Sequence, residues 1–158
     1  MAGMQHDLAV LDDPRVEAFG MLLETHNETL NAVTQRLDDT SIPVPWIGVL
    51  VRLARTPGHR LRMSELAHSM TMSTSGLTRL VDRLEDAGHV RREPCPDDRR
   101  GTWALLTEEG RQRIESLAPG HVQDLGELLG DALSDPQLEQ LTTLLRKVRD
   151  HIRSLPAR

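Results

Sequence analysis

The segment between Ser73 and Gly88 limits the fold of this chain more than any other. Its apolar residues recur at intervals of three and four, which places them on one face of an α-helix; they are Leu77, Leu80, Val81 and Leu84. Charged residues, including Arg79 and Arg83, fall on the opposite face. Ser73 is a suitable N-cap, and Gly88 stands where a left-handed residue often ends a helix. The segment predicts a helix with one packing face and one face for a polar partner.

This helix lies between two elements that together predict a winged helix-turn-helix. A shorter helix opening near Ser64 comes before it, and only Thr71 and Met72 are predicted to connect the two helices. After Gly88 the pattern changes to β-compatible runs around a tip that two prolines and a glycine predict to be irregular. The two runs and the tip are Val90–Glu93, Thr102–Leu106 and Pro94–Gly101. Arg60–Arg62 can add a short strand to this hairpin.

Long amphipathic helices are predicted on both sides of the winged helix. The first begins at Asp13-Pro14 and runs to about Arg36 or Asp38, where the Asp38–Pro43 loop ends it, and another begins at Pro45. A later helix starts after Thr107, and Pro119-Gly120 should kink or break it. Ser134 and Gln137 form a capping-box pattern for the last helix. These apolar stripes could pack on each other within one chain, but they exceed what one small core needs, so they predict a homodimer.

Composition agrees with a mainly α fold that carries a small β-hairpin. The chain has 158 residues, of which 38% are apolar and 2% aromatic, so Leu, Val, Ala and Met must fill the core. No apolar run has the length of a membrane span, and no basic region precedes a hydrophobic one at the N-terminus; we therefore expect a cytoplasmic protein. We expect one domain over residues 1–158, with a winged-helix part at 43–106 and dimerisation helices at 13–42 and 107–155.

Charge is distributed unevenly along the chain. The net charge of −5 argues, taken alone, against a nucleic-acid partner. However, residues 52–62 hold four arginines and no carboxylate, and residues 90–101 hold four arginines against three carboxylates. A local basic surface of this kind is sufficient for contact with DNA phosphates.

The motifs of the helix and the wing resemble those of the multiple-antibiotic-resistance regulator (MarR) family of bacterial transcription factors. The family's wing pattern, Asp-x-Arg followed by five residues and Leu-Thr, is matched by Asp98, Arg100, Leu106 and Thr107. Its recognition-helix pattern is matched by residues 78–85 and Gly88. The similarity covers roughly Val16 to Arg153, and it implies a homodimer whose chain ends intertwine.

The resemblance and the residue pattern together predict which residues contact double-stranded DNA. On the helix these are Ser73, Thr74, Ser75, Thr78, Arg79 and Arg83, for which the alternative roles are helix capping and ion pairs such as Arg79–Asp82. On the wing, the resemblance implies that Arg100 enters the minor groove, Asp98 orients the loop or a neighbouring arginine, and Arg99 takes a phosphate. The alternative for the wing is a charged, solvated turn. The expected target is a pseudo-palindromic operator.

By family analogy, a small and often anionic aromatic effector binds between the dimerisation helices and the winged helix. Helix faces suggest a pocket at His26, Trp46 and Leu50, although a core histidine is the simpler interpretation of His26. Repression relieved by such a ligand is the expected activity. The chain has no tyrosine, which removes one common phenol-binding partner.

Other functional classes find weaker support in the sequence. No two of the seven histidines stand three or four residues apart and there is one cysteine, so we expect no metal site and no cofactor. No nucleophile elbow, phosphate loop or paired catalytic carboxylates indicate an enzyme. Two alternatives stay open: a winged-helix regulator controlled by oxidation of Cys95 or by a partner protein, and a helical protein-interaction module. An incidental Cys95 is favoured over a redox switch.

Overall fold

The structure, a computed structural model, describes residues 8–37, 42–96 and 98–156, without the side chains of residues 8, 9, 99 and 100. In this part of the chain it is mostly helical with a small antiparallel sheet, which confirms the predicted fold class. The chain divides into two compact units, residues 1–43 and 44–158. The principal elements are α1 (Pro14–Leu37), α2 (Val44–Ala54), β1 (Arg60–Arg62), α3 (Met63–Ser69), α4 (Thr74–Asp86), β2 (Val90–Cys95), β3 (Asp98–Leu106), α5 (Glu108–Leu125) and α6 (Asp135–Ser154).

The first unit consists mainly of α1. Pro14 occupies the first helical position, and the Asp13 carboxylate accepts a hydrogen bond of 2.8 Å from the backbone N–H of Arg15. This is the predicted start, because a proline needs no N–H partner there and an acidic cap satisfies a free amide. The helix ends at Leu37, within the predicted range. The expected loop at Asp38–Pro43 lies outside the described residues except for Ile42 and Pro43.

The core of the second unit is formed where α2, α3, α4 and the sheet meet. The whole predicted packing face of α4 is buried, and its Leu84 is 0% exposed. The helices α2 and α3 contribute side chains that are equally inaccessible, namely Leu50, Leu53 and Leu66. Burying a leucine completely stabilises a fold by roughly 1.5 to 3 kcal/mol. This cluster therefore holds the helix-turn-helix together from within the chain.

Both predicted ends of α4 are present. The Ser73 hydroxyl accepts a hydrogen bond of 3.1 Å from the Gly76 N–H, which is the N-cap arrangement. At the other end Gly88 has a φ of +77°, and its N–H donates to the Glu85 carbonyl while the His89 N–H donates to the Leu84 carbonyl. These two bonds form a Schellman motif, whose left-handed residue is usually glycine. The turn before α4 spans residues 70–73, so it is longer than the two residues predicted.

The sheet has the strand order β1-β3-β2 and is antiparallel throughout. The predicted strand at Arg60–Arg62 is confirmed, but the irregular tip predicted over Pro94–Gly101 is wrong. Strand β2 continues through Pro94 to Cys95, β3 starts at Asp98, and the register shifts between Pro94 and Cys95. Since β2 is an edge strand, a proline without an N–H can be accommodated there. The wing is consequently a longer ribbon with a shorter turn.

The C-terminal helices begin at the predicted caps. Thr107 accepts a bond of 3.0 Å from the Gly110 N–H at the start of α5, and the Ser134 N–H donates to the Gln137 side chain at the start of α6. The predicted break at Pro119 does not occur, since α5 continues to Leu125 and a π-helical turn follows. A single proline removes one backbone bond, and the residues on both sides continue the helix. No helix in the described ranges is long and apolar enough to cross a membrane.

Candidate nucleic-acid interface

Helix α4 presents a polar face that no other part of its unit covers. Its packing face is turned into the core, so the residues between the buried leucines project outward. Thr74, Ser75, Thr78, Arg79 and Arg83 are all exposed along this helix. This set contains hydroxyl groups at the N-terminal end and guanidinium groups farther along, which can donate to phosphate oxygens or base edges.

The two arginines of this face have no ion-pair partner among the described residues. The predicted alternative was an ion pair such as Arg79–Asp82. Instead, the Asp82 carboxylate pairs with Arg92 of β2, 2.6 Å away. Arg79 and Arg83 therefore keep their full hydrogen-bonding capacity toward an external partner.

The hydroxyl groups at the helix start already take part in internal bonds. Ser73 caps the helix and lies 3.3 Å from the Ser75 hydroxyl oxygen. The Thr78 hydroxyl donates to the Thr74 carbonyl at 2.8 Å. A hydroxyl oxygen that donates once can still accept, so Thr78 remains able to bind a donor such as an exocyclic amino group. Ser73 is the N-cap of α4, which is one of its two predicted roles.

In the wing, Asp98 orients an arginine, but this arginine comes from β1. The Arg62 Nη1 atom lies 2.8 Å from the Asp98 Oδ2 atom. The backbone N–H of Arg62 also donates to the Glu65 side chain at 3.1 Å, which fixes the start of α3. Arg62 thus links the first helix of the helix-turn-helix to the wing. The side chains of Arg99 and Arg100, predicted to contact phosphate and the minor groove, lie outside the described residues, while their backbone belongs to β3.

Packing within the wing is tight at Gly101, and arginines contact an aromatic ring near its base. A Cβ atom at Gly101 would come 2.8 Å from the Cys95 sulfur and 2.9 Å from the Asp98 carboxylate, so a larger residue there would displace these side chains. Near the base of the wing, the guanidinium carbons of Arg60 and Arg62 lie 4.9 and 5.4 Å from the Trp103 ring centroid. Such cation–π contacts stiffen the ribbon.

Arg92 connects the wing to α4, and no motif in the sequence indicated this residue. Its guanidinium contacts Asp82, Glu85 at 3.2 Å and the Thr78 carbonyl at 3.1 Å, and its backbone N–H donates to Glu85 at 2.9 Å. All of these partners belong to α4, whereas Arg92 belongs to β2. No periodicity in the sequence connects residues on these two elements. Only the register of the sheet against the helix brings them together.

Two concave regions lie within the second unit. A cleft of about 420 Å³ separates α4 from the wing, with Thr74 and Thr78 on one side and Gly101 and Thr102 on the other. A larger cavity of about 860 Å³ lies between α6 and the helix-turn-helix. Apolar and cationic groups line this larger cavity, including Leu145, Val148, Ile152, Arg52, Arg149 and Arg153.

Arg52 of the larger cavity is partly withdrawn from water. It donates to the carbonyl groups of Gly48 at 2.9 Å and Ser69 at 3.2 Å. Burial, followed by repulsion from Arg153, lowers the pKa of the Arg52 guanidinium from its ordinary value. An anion in this cavity would relieve the repulsion between the two arginines.

The predicted ligand residues lie elsewhere. Trp46 is half-buried and meets the His89 ring edge-on with the centroids 6.0 Å apart, and Leu50 is fully buried. His26 is exposed on α1. None of the three lines either cavity described above. Cys95 is buried, with 4% of its surface exposed.

Together, the capped helix, the turn before it and the antiparallel ribbon after it define a winged helix-turn-helix protein. Residues 40–101 match the model of the MarR family. Over 127 residues the chain is 31% identical to the transcriptional repressor MprA of Escherichia coli K12, an alignment that covers 80% of this chain and 68% of MprA. The chain therefore belongs to the MarR family of DNA-binding transcriptional regulators.

Solved structures of the same family share this fold. AbsC from Streptomyces coelicolor superposes with a TM-score of 0.79 at 32% identity, covering 90% of this chain and 97% of AbsC. Sco3205 from the same organism, solved in complex with DNA, gives a TM-score of 0.75 at 36% identity over 85% of this chain and 84% of its own. The relatives are regulators of transcription rather than enzymes.

Proposed function

We propose that this protein binds a pseudo-palindromic operator as a homodimer and represses transcription until a small ligand releases it. The observation that carries the proposal is the pair of exposed arginines on α4, Arg79 and Arg83, which have no ion-pair partner among the described residues. They lie on a capped helix between the helix-turn-helix turn and the wing. The MprA repressor and the DNA-bound Sco3205 structure support the same activity.

In this proposal α4 lies in the major groove and the wing follows the adjacent minor groove. Arg79, Arg83 and Thr78 face base edges and phosphates, Arg99 contacts a phosphate, and Arg100 enters the minor groove. Narrow minor grooves concentrate negative potential, which favours an arginine at that position. Two copies related by a two-fold axis would read half-sites about one helical turn apart.

Exposed apolar surface supports dimer formation. In α6, no residue is buried, and its apolar stripe is open to solvent, with Leu144 53% and Ile152 60% exposed. Helix α1 likewise exposes large side chains, among them Phe19 at 62%. Monomeric proteins rarely leave contiguous stripes of this kind uncovered. A second copy of the chain is the partner that we propose covers them.

The larger cavity supports the part of the proposal in which a ligand releases the protein from DNA. A ligand with an apolar body and a carboxylate would match the leucine and valine side chains together with Arg52 and Arg153. The cavity also borders Thr71 and Met72 in the turn before α4. A ligand that prefers one arrangement of this turn would change DNA affinity by population shift. The pocket at His26, Trp46 and Leu50 remains a sequence-based alternative.

Fluorescence anisotropy with DNA from immediately upstream of the gene tests the DNA-binding part, using scrambled DNA of equal length as competitor. We expect tight binding to the upstream DNA. The logarithm of the association constant should fall linearly with the logarithm of the salt concentration. Arg83→Ala should weaken it by roughly tenfold, the loss of one strong base or phosphate contact. Arg146→Ala, which removes an exposed arginine from α6, is the matched control and should leave affinity near wild type. Absence of binding at low salt would favour the protein-interaction module.

The ligand part is tested in the same assay with salicylate, a minimal aromatic carboxylate. We expect millimolar salicylate to lower operator affinity in the wild type and to have less effect on Arg52→Gln. If Trp46→Ala abolishes the response while Arg52→Gln preserves it, the effector site is the one predicted from the helix faces. No response in any of the three proteins would contradict control by aromatic carboxylates.

A further inference from the structure

We propose that Arg92 is a positioning residue for operator recognition, which sets the wing relative to the recognition helix and neutralises two carboxylates on that helix. The inference rests on the proposed DNA binding. It assigns a role in that binding to a residue that belongs to neither the exposed face of α4 nor the tip of the wing.

The contacts of Arg92 span two turns of α4. Its guanidinium reaches the Thr78 carbonyl near the start of the helix, then Asp82, then Glu85, and its backbone N–H binds Glu85 as well. The Arg92 side chain is 26% exposed, so water partly screens these bonds without replacing them. A single side chain with several fixed donors can hold the strand and the helix in one relative position, since a guanidinium is planar and its donors are rigidly spaced.

The position of Arg92 in the sheet allows its contacts to set the distance between α4 and the wing. Arg92 pairs with Ala104 in the sheet, and β2 continues from it directly to the turn of the wing. It also lines the cleft of about 420 Å³ that separates Thr74 and Thr78 from Gly101 and Thr102. A DNA backbone between the major and minor grooves would pass this cleft. The spacing that Arg92 holds is therefore the spacing at which α4 and the wing can enter their grooves at the same time.

Arg92 also changes the charge that DNA meets on α4. Asp82 and Glu85 are 48% and 38% exposed at the side chain, and they lie on the same helix as Arg79 and Arg83. Without a cationic partner, these two carboxylates would repel DNA phosphates. They would also attract Arg79 and Arg83, which could then no longer bind DNA freely. By holding both carboxylates, Arg92 keeps the neighbouring guanidinium groups available.

Arg92→Gln is the first variant to measure. We expect operator affinity to fall by roughly tenfold or more, the equivalent of losing a hydrogen bond to a charged group. Arg91→Gln is the matched control: Arg91 is the adjacent residue, points to the opposite face of β2, and pairs only with Glu93 among the described residues. It carries the same change in charge, so it measures the loss that follows from removing one positive charge of the wing. Equal affinities for Arg92→Gln and Arg91→Gln would overturn the inference.

A triple variant, Asp82→Asn with Glu85→Gln and Arg92→Gln, separates position from charge. It removes the carboxylates together with the arginine, so binding to scrambled DNA should recover to the wild-type level or above. We expect the preference for operator over scrambled DNA to remain reduced, because nothing then holds the wing. Full recovery of operator preference would show that Arg92 only balances charge, and the positioning role would fall.

Arg92→Lys guards against a folding defect in the glutamine variant. It retains the positive charge but loses the forked donors, so the thermal melt should stay close to wild type while operator preference drops. Unchanged preference in Arg92→Lys would contradict the geometric role. If the wild-type protein shows no preference for operator DNA, both the proposed function and this inference are wrong. If the wild type shows this preference and the Arg92 variants retain it, only the inference is wrong.

Discussion

The winged helix and helix α6 both contain regular apolar stripes, but these stripes differ in how far they are buried. In the winged helix, Leu84 is completely buried by neighbours from the same chain. In α6, Leu144 belongs to an equally regular apolar stripe, yet 53% of it is exposed. The same amphipathic pattern thus indicates a core in one region and an uncovered surface in the other. What the pattern alone does not specify is which molecule supplies the covering side chains.

The most direct test of this comparison shortens a leucine in the buried core of the winged helix. Leu84→Ala should lower the free energy of unfolding by about 2 to 5 kcal/mol, because a tightly enclosed leucine leaves a cavity. Urea denaturation followed by circular dichroism measures this. A loss below about 1 kcal/mol, the level of an ordinary surface change, would show that the core relaxes around the site or is less closely packed than described.

The second test places a charge on the uncovered stripe. Leu144→Glu should raise the dimer dissociation constant about a hundredfold or more, since an unpaired carboxylate would be buried at the interface. Sedimentation velocity over a concentration series measures the change.

Thr143→Glu provides the control for this variant. Thr143 lies on the opposite side of α6 and is also exposed, so it introduces the same charge away from the stripe. It should sediment like the wild type. Equal sedimentation of the wild type and both variants would place the dimer interface elsewhere.

The smallest expected effect contrasts two glycines. Gly88→Ala should destabilise the protein by about 1 to 2 kcal/mol, because its φ of +77° disfavours any Cβ. Gly126→Ala, at a helical φ of −58° with nothing within 4 Å of a new Cβ, should stabilise it by about 0.5 to 1 kcal/mol. Thermal melts of both variants provide the measurement. A shift of the same sign in both would contradict the described backbone at one of the two positions.

Local signals predicted most of the fold. The caps at Ser73, Thr107 and Ser134 and the left-handed Gly88 were readable because each depends on a few adjacent residues. The extended wing was not, since proline is tolerated only on an edge strand and edge status depends on the order of the whole sheet.

The site was only partly predictable. The exposed face of α4 follows from helical periodicity, so the exposure of Arg79 and Arg83 could be predicted from their spacing. The pairing of Arg62 with Asp98 joins residues 36 positions apart, and Arg92 reaches back across seven to fourteen positions to α4. Such partners are set by tertiary packing, which no short spacing encodes.

The strand order of the wing sheet has a consequence for how this protein avoids aggregation. Both outer strands could, in principle, recruit a strand from another molecule, because open sheet edges present unpaired backbone groups. Here β1 has only three residues, and β2 carries Pro94 together with a shift in register. Short edges, prolines and bulges are features that prevent such pairing. The wing sheet is thus protected against pairing with a strand of another molecule.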